Sequence, residues 1–239
     1  MKKHTIYSEL VYVAAILLLT LAVAMTAAAD LGVSMVVAPA YILHLKFDAI
    51  HLGSLTIPLT FGVFTYLVEG LIFIVFCILM KKVKLSYFCS FLTCVIYGYV
   101  LDAWRAVVPL FNESITPPGS MALWARILLF AGGMVLTSFS VALFFKTYIP
   151  PQVIDFFVKG VSEKYSIDRT KFKIITDAVL LITACAMTLL FFGKFKGIGV
   201  GTVIITLCNG WLIGLFTKLL DKFFSVKAIF PKIEAKFSL

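Results

Sequence analysis

Apolar residues gather into six long runs, at residues 10–29, 59–80, 88–110, 123–145, 172–192 and 199–220. Each is close to the about 20 residues a helix needs to cross a bilayer. Two shorter segments, 32–47 and 150–161, follow the first and fourth runs. They are too brief to span as straight helices. Pro39 lacks an amide proton and its ring blocks helix continuation, so the first short segment is expected to be broken or bent. Pro150-Pro151 fits a helix start, where first-turn amides need no partner. Irregular backbone at membrane depth survives only under protein cover or beside water. Each short segment therefore either re-enters the membrane or lies along its surface.

The order of elements repeats. Pro39 corresponds to Pro151 and Gly98 to Gly210, both 112 positions on, while Glu69 corresponds to Asp177 at 108. Repeats of membrane units with interrupted segments are the usual trace of a transporter-like fold. The predicted fold is an all-α membrane protein of six transmembrane helices, built as two three-helix repeats. Residues 1–115 form the first repeat and 116–239 the second, in one integral membrane domain without a soluble domain.

Composition agrees: 62% of the 239 residues are hydrophobic and 14% are charged. A soluble domain could not hide that much apolar surface. The net charge of +9 is spread as a topology signal, which excludes nucleic acid as a partner. With six crossings, sixteen basic residues fall on one side, among them Lys2, Lys3, Lys81, Lys82, Lys84, Lys146 and Lys218. At most five fall on the other: Lys46, Lys194, Lys196, Arg105 and Arg126. Basic loops stay inside, so both termini are expected in the cytoplasm of a bacterial cell, with the chain multi-pass in its plasma membrane. Three crossings per half then make the repeats inverted. Ala27-Ala28-Ala29 before Asp30 resembles a signal cleavage site, but the first run pairs with the fourth and is expected to stay.

Ala29-Asp30-Leu31-Gly32-Val33-Ser34 leading to Pro39, Leu59-Thr60-Phe61-Gly62, Lys194-Phe195-Lys196-Gly197-Ile198-Gly199-Val200-Gly201-Thr202 and Asn209-Gly210-Trp211-Leu212-Ile213-Gly214 resemble the YczE/YyaS/YitT group of bacterial integral membrane proteins. The resemblance covers nearly the whole chain. It implies a multispanning fold and no established activity. The first half departs from it, reading Lys82-Val83-Lys84-Leu85-Ser86 where a glycine turn is common.

Several residues invite chemistry. Glu69 sits mid-span, where a carboxyl is expensive and faces the bundle interior. It either couples protons or contacts a cationic substrate, or it is a protonated acid bonded to a neighbouring helix. Asp177 is its counterpart, with Lys173 four residues earlier on the same face. Asp102, and Asn209 beside its glycine, complete the substrate or coupling-ion set. Asp102 exchanging between Arg105 and Arg126 would form an external gate; alternatively they belong to an aromatic belt with Trp104 and Trp124 and a helix-end ion pair. Lys194, Lys196, Gly199 and Gly201 outline an anion site at a helix start, although close packing explains the glycines more simply. His44, Asp48 and His51 share a spacing, but no further ligand is fixed, so no metal is expected. Cys77, Cys89, Cys94, Cys185 and Cys208 form no Cys-x-x-Cys pair and read as small hydrophobes.

No catalytic constellation or cofactor motif is present in the sequence, and the chain is read as no enzyme. The expected function is a carrier of a small solute, with proton coupling as the candidate driving force. The alternatives are the capture subunit of an energy-coupling-factor importer, partnered by an ATPase module, or a non-transporting accessory protein. The lipid bilayer is the expected partner, and a homo-oligomer is compatible with the pattern.

Overall fold

The computed structural model describes residues 4–47, 49–52, 55–81 and 85–230. Asp48, Lys2, Lys3, Lys82 and Lys84 lie outside the described residues. Among the described residues eight helices follow one another: α1 (Ser8–Ala29), α2 (Ala38–Lys46), α3 (Phe61–Met80), α4 (Leu85–Val107), α5 (Leu123–Phe144), α6 (Val153–Tyr165), α7 (Arg169–Phe192) and α8 (Val200–Phe223). All but α2 and α6 are long and apolar enough to cross a membrane, six helices among the described residues. The protein is therefore a multispanning all-α membrane protein.

Local chemistry sets the boundaries. Thr60 caps α3 by accepting from the Val63 amide, and Asp168 caps α7 by accepting from Lys171. Such caps satisfy first-turn donors that have no partner inside the helix. At the other ends, Asp30, Lys81 and Gly193 adopt the left-handed conformation that stops α1, α3 and α7.

α1 lies along α5, and this is the most extensive helix contact in the molecule. Small residues permit it: a Cβ on Gly133 would come within 2.9 Å of the Ala22 carbonyl oxygen. Without a water-driven force between helices, such close backbone approach is what holds them. α1 also packs on α4, and α5 on α8. α2 packs on α3 and α7, and α6 on α7 and α3. Exchanging the first four helices with the last four maps these pairings onto themselves. Two pairings break the rule: among the described residues α4 packs on α6 while α8 makes no comparable contact with α2, and α3 packs on α4. α3 and α4 cross backbone to backbone at Gly62 and Gly98, where a Cβ on Gly62 would sit 2.1 Å from the Gly98 carbonyl oxygen. Among the described residues α7 and α8 share no such face, and Gly210, the counterpart of Gly98, has nothing within 4 Å.

Two faces can be named from the helix ends. The Asp30 face carries the end of α1 and the starts of α3 and α5, joined by the Arg126–Asp30 and Thr60–Asp102 contacts. The Lys81 face carries the end of α3 and the starts of α1 and α4. Strand β1 (His4–Tyr7) pairs in parallel with β4 (Phe224–Lys227), so both ends of the described chain share this Lys81 face. A hairpin of β2 (Ala49–Leu52) and β3 (Leu55–Pro58) precedes α3 on the opposite face.

The short segments are neither kinked spans nor surface rods. Pro39 stands in the first turn of α2, not in a helix interior, so it opens a helix rather than bending one. The bend lies upstream, in residues 30–37. That stretch turns inward from the end of α1, and Ser34 and Val37 line one cavity with Leu19 and Val23 of α1. α2 then runs back out, ending beside Phe191 near the end of α7. α6 does the reverse. It starts where the Val153 amide meets Glu69 in mid-α3, and ends where Lys164 donates to the Leu79 and Met80 carbonyls. At about 1.5 Å per residue, the nine residues of α2 and thirteen of α6 cover only part of a bilayer. Both are half-helices, pointing to opposite faces, with their N-termini deep inside.

Candidate functional site

A cavity of about 140 Å³ lies between the two deep helix starts. Its wall is mostly apolar, from Leu19 and Val23 of α1, Val141 and Phe144 of α5, and Val37 before α2. Tyr97 of α4, Gln152 and Asp155 at the start of α6, Lys173 of α7 and Asn209 of α8 add the polar groups. A concave apolar wall with a few converging polar groups is the usual form of a small-molecule site.

Lys173 organises the charge. Its Nζ lies 3.3 Å from Asp155 Oδ1 and 3.1 Å from Asp177 Oδ1. The second contact is the pairing of residues four apart expected from the sequence; the first crosses from α7 to α6. The Ser138 hydroxyl lies 2.7 Å from Asn209 Oδ1, tying α5 to α8. Gln152 Nε2 is buried and finds no partner among the described residues.

Glu69 is 3% exposed and lies one layer behind the cavity wall. Its Oε2 accepts from Cys94 Sγ at 2.6 Å and from the Val153 amide at 3.1 Å. The carboxyl therefore closes the N-terminus of α6, where the helix dipole favours negative charge. Among the described residues no cation forms an ion pair with it. Glu69 and Asp177 are each the ninth residue of their helices, α3 and α7. Yet they are held differently, one by a helix start and a thiol, the other by lysine.

The other residues singled out from sequence lie on the Asp30 face. Asp102 accepts from the Thr60 hydroxyl at 2.5 Å and from the Gly62 amide at 2.9 Å. It fastens the end of α4 to the start of α3 and bonds neither arginine. Arg105 instead reaches Glu113 at 2.5 Å and His44 Nε2 at 2.9 Å, and lies over the Phe61 ring. Arg126 donates to the Ala29 carbonyl at 2.8 Å and to the Asp30 carboxylate at 3.2 Å. Each arginine thus ties a helix to a loop. Burial raises the Asp30 carboxyl above its ordinary range against the opposing pull of Arg126 and Lys196. Burial, reinforced by Arg105, lowers His44.

At the start of α8 the Gly199 and Gly201 amides are already engaged. Gly201 donates to the Leu31 carbonyl, Gly199 to the Thr202 hydroxyl, and Val33 to the Gly197 carbonyl. A Cβ on Gly199 would lie 2.6 Å from the Leu31 oxygen, and one on Gly201 would lie 2.5 Å from the Phe130 ring. These glycines admit residues 31–33 against α8. Lys194 and Lys196 stand at the same turn, where the Thr188 hydroxyl accepts from the Lys196 amide. Among the described residues no group of three His, Cys, Asp or Glu is arranged to hold a metal.

Sequence reasoning did not single out Gln152 and Asp155 as site residues, nor Glu113 as the arginine partner. The available signal was an acid just after Pro150-Pro151, in a segment too short to span.

A family of unknown function, DUF6198, matches residues 6–218, and the chain belongs to it. No curated protein and no solved structure matches.

Proposed function

We propose that this protein is a carrier for a small solute, a membrane transporter and not an enzyme, working by alternating access. One observation carries the reading: two half-helices directed to opposite faces begin at a shared cavity at mid-depth. Secondary transporters place their sites at such discontinuous helices, between inverted repeats. In this reading residues 1–115 and 116–239 are the inverted units. The Lys81 face is cytoplasmic because basic loops stay inside, and kinship with the YczE/YyaS/YitT group is part of the same proposal. Motion of one unit against the other would expose the cavity to each side in turn. Glu69 sits where α3 of the first unit holds α6 of the second. Exchange of its proton would loosen that contact, which makes it the coupling residue.

The test is reconstitution in proteoliposomes. Solutes that raise the melting temperature of the purified protein are assayed for uptake under an imposed pH gradient. Uptake that loses its gradient dependence in Glu69→Gln supports the proposal. Stabilising solutes that never cross the membrane defeat it.

A further inference from the structure

We infer that the central cavity takes a small organic cation, a protonated amine on a short aliphatic body; this rests on the carrier reading for its biological use.

Charge balance points there. With Asp155 and Asp177 ionised and Lys173 an ammonium, the cluster sums to one negative charge. A bound monocation brings this part-buried cluster to neutrality, whereas an anion would double the imbalance. Net charge buried away from water is strongly disfavoured. The positive end of α6 could argue for an anion, but its first amide is already committed to Glu69.

Geometry gives the route. Asp177 lies one turn from Lys173 on α7 and keeps it at 3.1 Å, while Asp155 is reached across helices at 3.3 Å. An incoming ammonium replaces Lys173 on Asp155, and Lys173 remains with Asp177. The aliphatic body then meets Leu19, Val23, Val37 and Val141 on the apolar wall. Lys173 thus acts as a tethered internal competitor, occupying the amine position when solute is absent.

The experiment measures melting of the purified protein with n-butylamine hydrochloride, sodium butyrate or 1-butanol at matched ionic strength. Butylamine alone should give a saturable upward shift, as any ligand selective for the folded state does. Lys173→Ala should lower the melting temperature, and butylamine should restore it by more than it raises the wild type. Asp155→Asn should abolish the butylamine shift. If Asp155→Asn does not fold, the Lys173→Ala comparison carries the test. Stabilisation by butyrate, absence of rescue in Lys173→Ala, or no response to any of the three compounds would overturn the inference. Amine binding without amine uptake relative to empty liposomes would sink the carrier reading and leave this site standing. Butyrate binding with butyrate uptake would do the reverse.

Discussion

Glu69 shows how one side chain can serve packing and chemistry together. Its oxygen satisfies a helix-start amide and a thiol that otherwise face a dry interior. Removing an acceptor from a buried donor costs about 1–3 kcal/mol. Glu69→Ala should therefore melt clearly below the wild type, whereas Glu69→Gln, which keeps only a neutral carbonyl acceptor, should melt between the two. Equal melting of the alanine and wild-type proteins in detergent would contradict that role. His44 offers a second test at this scale. Its Nδ1 lies 3.2 Å from the Leu59 carbonyl, fixing the proton there, and Nε2 accepts from Arg105. The folded state holds His44 below its ordinary value, so the unfolded chain takes up the proton first. Its contribution is present above the unfolded value, about 6.5, and is lost as pH falls from there toward the folded value. The wild-type melting temperature should drop more steeply between about pH 6.5 and 5 than that of His44→Gln. Parallel curves would refute this.

Among the elements, α3–α4 and α7–α8 are the informative contrast. Both pairs carry corresponding glycines, Gly98 and Gly210, yet only Gly98 lies against a neighbouring backbone. Overpacking at such a crossing costs about 1–3 kcal/mol, so Gly62→Ala or Gly98→Ala should lower the melting temperature measurably. Gly210→Ala should change stability by no more than about 0.5 kcal/mol, as expected of an open position. Comparable losses in both pairs would mean that α7 and α8 are packed together after all. The short helices were legible as short because their apolar runs stop early. The sequence does not choose between re-entry and surface placement, because a proline at a helix start and a proline at a bend read alike in one dimension.

For the whole molecule, the decisive quantity is which face each loop occupies. Ser120, between α4 and α5, and Ser166, between α6 and α7, are both exposed and lie at opposite ends of α5. With the native cysteines replaced, Ser120→Cys should react with impermeant maleimide from outside intact cells, and Ser166→Cys only after permeabilisation. Labelling of both from the same side would overturn the topology and the carrier reading with it.

The six spans and their order followed from sequence alone, since apolar length is a local property that a bilayer reads directly. Tertiary structure decided the partners. It gave Asp102 to Thr60 and Gly62, Arg105 to Glu113, Arg126 to Asp30, and the Gly201 amide to Leu31. It also set Asp155 beside Lys173 and brought two helix starts to one cavity. Such choices depend on which backbones approach most closely. That is set by small residues meeting across helices far apart in sequence, which no single segment records.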